Sequence, residues 1–360
     1  MKTLVAALAL LACACAVRLP QARECDPAGR GRPVCGLMNP EDVIPLPASH
    51  WVLASELRRP GEPRGSIVAF TLDGDGAATT LVGPSAPAEW LDDPFLAKNK
   101  EICPGPLPAD GLEPHGMDLV VERTPPWMLL VVNHGTRESI EIYDVTPSKH
   151  DDVAPRLRWM GCIPLPDGYA ANDVAAMDDG RLVASTTRIR FVDWVLAIFR
   201  MTMGSPLGDA MDWSFDQGWR HVDHTRVGLP NGVAVDATGR LFVADWAGSR
   251  LVRVDRATGR RDEIPLPHHP DNVSWAPDGR LVVAGQIGSV REAFGCVDGH
   301  VRNCGQPWSV LAVDPDTLAV AMLAQGDGRD FGAASSAAFA KHTLVVGTWA
   351  GDRALRLPVP

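Results

Sequence analysis

No apolar run in this chain of 360 residues approaches the roughly 20 residues that a membrane-spanning helix needs. Positive charge is in deficit: 34 basic residues face 44 acidic ones, a formal net charge of −10. A chain so acidic has no global electrostatic attraction for nucleic acid or for an anionic membrane surface. Familiar catalytic signatures are missing as well. There is no Gly-x-Ser-x-Gly elbow, no His-Glu-x-x-His, no Gly-x-x-x-x-Gly-Lys phosphate cradle and no dinucleotide fingerprint. Neither Cys-x-x-Cys nor a zinc-like Cys/His spacing occurs.

Turn chemistry, in contrast, is abundant. Gly 34 and Pro 31 of the 360 residues exceed their usual combined share of roughly 12%. The turns alternate with apolar runs, which argues for a packed protein and against disorder.

At the N-terminus, one lysine precedes Leu4-Val5-Ala6-Ala7-Leu8-Ala9-Leu10-Leu11-Ala12. This pattern predicts a secretory signal peptide over residues 1–16. Two processing routes overlap: Ala14-Cys15-Ala16 fits a small-x-small cleavage site, whereas Leu10-Leu11-Ala12-Cys13 resembles a bacterial lipobox that would leave a lipidated Cys13. Either route predicts export. Residues 17–40 then form an N-terminal segment ahead of a single domain, 41–360. Past the signal region lie Cys25, Cys35, Cys103, Cys162, Cys296 and Cys304, an even number suited to an oxidising compartment. Cys296–Cys304 is the best local pair, Cys25–Cys35 is plausible on the same grounds, and spacing leaves the rest open.

From about residue 50 a phrase recurs: turn, apolar strand, turn, alternating strand. Asp179-Gly180-Arg181-Leu182, Thr238-Gly239-Arg240-Leu241 and Asp278-Gly279-Arg280-Leu281 open hairpins. Inner strands start near residues 44, 117, 174, 233, 273 and 336. Roughly 340 mature residues over these units gives about 57 each, the size of a four-stranded propeller blade with its loops. The predicted fold class is all-β, a six-bladed β-propeller. One stretch breaks the phrase: residues 190–203 read as an amphipathic helix on an inter-blade insertion, packed on the propeller or touching lipid. Asp73-Gly74-Asp75-Gly76 hints at a calcium loop, but Ala77 and the lack of a closing Glu reduce it to a turn.

At the start of successive blades sit oxygen-bearing side chains, paired in Glu41-Asp42, Asn172-Asp173 and Asp271-Asn272 and single in Asn231-Gly232, with Pro114-His115-Gly116 in the second blade. Innermost strands of a propeller converge on its central channel. Carboxylates and amides gathered there make a hard-oxygen cage suited to Ca²⁺.

These residues carry a resemblance. Pro114-His115-Gly116-Met117, Leu130-Val131-Val132-Asn133-His134-Gly135, Asn172-Asp173-Val174, Leu229-Pro230-Asn231-Gly232-Val233 and Asp271-Asn272-Val273-Ser274 resemble the paraoxonase/arylesterase family, over about residues 35–358. The resemblance implies a secreted or membrane-associated propeller with two calcium ions that hydrolyses lactones and aryl esters. It places Glu41, Asn172, Asn231, Asp271 and Asn272 around a catalytic Ca²⁺. Asp42, Asp173 and the Met117 backbone carbonyl would hold a deeper structural Ca²⁺, and His115 and His134 would form a histidine pair beside the upper ion. It also places the 190–203 insertion where that family carries a lipid-contacting helix.

The chain departs from the family pattern. Ser185-Thr186-Thr187-Arg188 stands where Asn-Asp is common, Gln286 stands where a pocket histidine is frequent, and the C-terminal cysteine is missing. Two other readings use the same cage: a sugar lactonase resembling the regucalcin/gluconolactonase family, and a calcium-stabilised binding propeller without catalysis. The expected partner is a small-molecule lactone or ester. Any membrane association would run through a lipidated Cys13 or the 190–203 helix.

Overall fold

The computed structural model describes residues 19–359 except 30, 60, 62–64, 74–76, 85–88, 91–98, 100, 122–125, 149, 151, 189–200, 202–203 and 297–301. The leader with Cys13, the Gly74–Gly76 turn and nearly all of the 190–203 insertion lie outside these residues.

Six sheets follow one another along the chain. The inner strands are Pro40–Pro45, Pro114–Val120, Ala170–Ala176, Pro230–Val235, His269–Trp275 and Ala334–Ala340, so the expected inner-strand starts fall within them or at their edge. Each inner strand contacts the next, and Ala334–Ala340 contacts Pro40–Pro45, which closes a ring. The six-bladed β-propeller is thus the fold. Blades one, three, four and five are each one continuous antiparallel meander. In blade two the short strand Glu89–Trp90 adds in parallel to the outermost strand Arg156–Pro164.

The second strands explain why the sequence reads as near-continuous apolar runs. Each blade is buried on both faces, so successive residues pack against different neighbours. In Trp51–Glu56, Leu53 joins the cluster with Met117, Leu129 and Val131 of blade two. Val52 and Ala54, of opposite parity, join Ala338, Val345 and Ala354 of blade six. The same alternation fills the other four inter-blade spaces.

The ring closes through the N-terminal segment. Val34–Cys35 pairs antiparallel with Ala354 and Arg353, and so forms the outermost strand of blade six. Arg353 donates to the Arg23 carbonyl at 2.7 Å, and Gly351 N–H donates to Asn39 Oδ1 at 3.0 Å. Disulfides join Cys25–Cys35, Cys103–Cys162 and Cys296–Cys304. Three such pairs suit an oxidising compartment. Among the described residues no helix is long and apolar enough to cross a membrane.

Candidate metal centre and histidine pair

Every inner strand breaks register with its neighbour near its start, between Pro40 and Asp42, Pro114 and Met117, Ala171 and Val174, Pro230 and Val233, Pro270 and Val273, and Ala334 and Ala337. Such a bulge frees residues from the ladder and re-aims their side chains. The residues in the breaks are Glu41, His115-Gly116, Asn172-Asp173, Asn231-Gly232, Asp271-Asn272 and Ser335-Ser336. Each blade therefore delivers polar atoms to the channel. The two glycines make room for the next blade: a Cβ on Gly116 would lie 2.5 Å from Asp173 Oδ1, and one on Gly232 2.5 Å from the Asp271 carbonyl.

The structure brings the proposed upper donors into one buried region. Asn272 Nδ2 donates to Glu41 Oε1 at 2.8 Å, and Glu41 is fully buried. Glu41 Oε2 and the Oδ1 atoms of Asn172, Asn231 and Asn272 are buried without any hydrogen-bond partner. Buried acceptors are ordinarily satisfied, so such a group calls for an explanation. Asp271 is held differently: its Oδ2 accepts from Gln286 Nε2 at 2.6 Å.

The deeper acids already serve as clasps between blades. Asp42 Oδ2 accepts the Met117 N–H and Asp173 Oδ2 accepts the Val233 N–H, each at 2.8 Å. Asp118, which the sequence reading passed over, does the same for the Ala176 N–H at 2.7 Å. Ser55 and Ser185 accept the backbone N–H of Asp42 and Asp173, both at 3.0 Å. Below these acids opens a cavity of about 430 Å³, walled by apolar residues of the inner strands and also bordered by Asn272 and Ser336.

The histidines meet as well. His115 Nδ1 lies 2.9 Å from His134 Nε2, with the rings edge to face, and His115 Nε2 lies 3.6 Å from Glu41 Oε1. His134 Nδ1 is 2.8 Å from Glu138 Oε2.

The electrostatics of the channel are one-sided. Burial drives Glu41 and Asp173 well above the usual carboxylate range, and neighbouring carboxylates push them further. Burial also raises Asp42 and Asp271 to about 7 and Asp118 to about 6, against the hydrogen bonds each accepts. Burial, then the neighbouring His134, lowers His115 to about 3, so it is neutral. Among the described residues no arginine or lysine offsets these acids.

A cluster of like charge beside oxygens without partners fits a hard cation, whose binding would supply the missing charge and occupy the lone pairs. Among the described residues no three His, Cys, Asp or Glu side chains converge as a metal cluster by themselves. The upper set is mainly amides, with Glu41 and Asp271 its two acids.

Gln286 is committed to holding the channel wall together. It is fully buried, donates to both Asp271 Oδ2 and the Ala334 carbonyl at 2.6 Å, and accepts from Trp246 Nε1 at 2.7 Å. Ser335, which the sequence reading left without a role, donates to the Glu41 carbonyl at 2.6 Å. It stands at the blade-six position equivalent to the other doublets, the one signal that could have found it.

Among known proteins, no family model and no curated sequence matches the chain. Similar solved structures include a candidate gluconolactonase, with TM-score 0.50 and 17% identity over 95% of this chain and 99% of its own. A PQQ-bound aldose sugar dehydrogenase from Streptomyces coelicolor superposes with TM-score 0.51 at 16% identity, over 91% of this chain and 96% of its own. At identities this low the likeness speaks to architecture alone: the chain shares its propeller fold with these proteins.

Proposed function

We propose that the protein is a calcium-dependent hydrolase of lactones and carboxylic esters. The observation that carries this reading is the set of unpartnered buried oxygens on Glu41, Asn172, Asn231 and Asn272, converging beside a hydrogen-bonded pair of histidines. In this reading Glu41, Asn172, Asn231, Asp271 and Asn272 hold an upper Ca²⁺. Asp42, Asp173 and the Met117 carbonyl hold a deeper, structural one. When bound, the upper ion would supply an electrophile that draws charge from the substrate carbonyl.

The remaining steps belong to the chain. His115, neutral and set against the cage, takes a proton from the attacking water as the new carbon–oxygen bond forms. It returns that proton to the leaving oxygen when the ester or ring bond breaks. His134 fixes the orientation of His115. Gln286 holds Asp271 in place, and Ser335 anchors the backbone of Glu41.

The reading extends to acyl lactones in preference to sugar lactones, on the paired histidines and the apolar 190–203 insertion. It also includes export, with attachment through a lipidated Cys13 where the lipobox is used; detergent partitioning of cell-expressed protein tests that part.

A pH-stat assay on a long-acyl γ-lactone and on gluconolactone, with Ca²⁺ and after chelation, is the direct test. Calcium-dependent opening of the acyl lactone supports the reading. Preference for gluconolactone moves the substrate to sugars. Turnover of neither, with a melting temperature that still falls on chelation, leaves a calcium-stabilised binding propeller.

A further inference from the structure

The histidine pair has a third member. We infer that Glu138 is a positioning residue that sets the proton arrangement of the pair, keeping both imidazoles as the Nδ1–H tautomer so that His115 turns an unprotonated Nε2 toward the cage. The inference deepens the hydrolase reading and rests on it for its catalytic meaning only.

A carboxylate accepts hydrogen bonds and cannot donate them. Glu138 Oε2 lies 2.8 Å from His134 Nδ1, so that nitrogen carries the proton. In an imidazole with one N–H, the other nitrogen, here Nε2, is then an acceptor. It faces His115 Nδ1 at 2.9 Å, so the second proton sits there. The lone pair left on His115 is on Nε2, the atom 3.6 Å from Glu41 Oε1. Each bond fixes the next. Without Glu138 the chain of bonds runs equally well in reverse: His134 donates from Nε2, and His115 presents an N–H to the cage and cannot accept a proton there.

The turn that carries Glu138 is unusually determined for a surface loop. His134 follows the strand Trp127–Asn133, and Glu138 precedes the strand Ser139–Thr146. Asn133 Oδ1 accepts the N–H of Glu113 at 2.8 Å and of Gly135 at 3.1 Å, and Asn133 Nδ2 donates to the Arg137 carbonyl at 3.0 Å. Arg137 grips the buried Glu141 with two bonds of 2.9 and 3.0 Å. At Gly135 a Cβ would lie 1.7 Å from the Gly111 carbonyl, so only glycine allows this close approach. Glu138 itself is 39% exposed. Its carboxylate reaches solvent, so truncating it should leave the fold in place.

The experiment reads tautomers directly. Long-range ¹H–¹⁵N correlation spectra of ¹⁵N-histidine-labelled full-length protein, with His115 and His134 assigned by substitution, are recorded with and without Ca²⁺. Both histidines should be Nδ1–H in the parent. In Glu138→Ala both should revert to Nε2–H, whereas Glu138→Gln, which keeps an acceptor oxygen, should hold the parent form. In parallel, Glu138→Ala should lower kcat on the acyl γ-lactone by on the order of 10²-fold, with KM and the melting temperature nearly unchanged, and Glu138→Gln should recover most of it. An Nε2–H signal on either histidine of the parent, or unchanged tautomers in Glu138→Ala, overturns the inference. If the parent turns over no lactone, the hydrolase reading falls while the spectra still decide the role of Glu138.

Discussion

Replacing Gln286 by leucine tests the channel wall at one point. The change keeps the volume roughly constant and removes three bonds, the donations to Asp271 Oδ2 and the Ala334 carbonyl and the acceptance from Trp246 Nε1. All are made by a side chain with no solvent exposure, so water does not replace them. A buried polar group left unsatisfied costs about 1–3 kcal/mol. Because the three share one residue, their costs do not simply add, and the expected loss is about 3–6 kcal/mol. That is a large part of the 5–15 kcal/mol typical of a folded domain. The released Asp271 should also weaken Ca²⁺ binding by about 10–100-fold, the usual effect of removing a residue that orients a ligand. Urea unfolding with excess Ca²⁺ and with the metal stripped gives the stability, and calorimetric titration gives the affinity. Gln286→Glu separates bonding from packing: it retains the acceptor for Trp246 but faces Asp271 with a second carboxylate, and it should be destabilised in the metal-free state. A loss below about 1 kcal/mol in Gln286→Leu, with unchanged affinity, would refute the argument that this residue holds Asp271.

Asn231→Ala should abolish measurable Ca²⁺ binding at the upper set and lactone turnover together, read by calorimetry and pH-stat; full turnover sinks the ligand assignment. His115→Gln should cut kcat far more than calcium affinity, and equal losses in both would mean its role is wrong. Metal-free protein should grow more stable as pH falls from about 7 toward 4, because Asp42 and Asp271 titrate near 7 when folded and near 3.8 when unfolded, so the native state binds more protons in that window. With Ca²⁺, which needs the ionised acids, the slope should reverse; melting temperatures across this range decide it. Replacing Cys103 and Cys162 by alanine opens a link with sequence separation 59 and should cost about 4 kcal/mol on the chain-entropy model, seen as a lower urea midpoint.

Much of the architecture was legible because a propeller repeats. The doublets Glu41-Asp42, Asn172-Asp173 and Asp271-Asn272 recur at one place in each phrase, and the bulges found there explain why polar residues interrupt otherwise apolar strands. Gly116 and Gly232 stand in the motifs without a role of their own, yet they make space for the neighbouring blade, a fact of strand-to-strand approach that no local pattern carries. Gln286 looked like a lost pocket histidine because its partners lie at positions 246, 271 and 334, distances along the chain over which sequence alone is silent. Glu138 hid in a hairpin whose Gly135 already accounted for the turn. Val34–Cys35 escaped because two residues are too few to show a period.

That short strand also fixes an order of events. Val34 is made early, and its partner Ala354 arrives roughly 320 residues later, a separation whose closure costs about 5 kcal/mol of chain entropy. A chain still lacking Arg353 and Ala354 cannot complete blade six, whatever the state of blades one to five. Cys25 and Cys35, only ten apart, can join long before then and keep the waiting strand in a compact loop. A chain cut short of Arg353 should therefore leave Val34–Cys35 as an unpaired strand, an edge open to pairing with other chains.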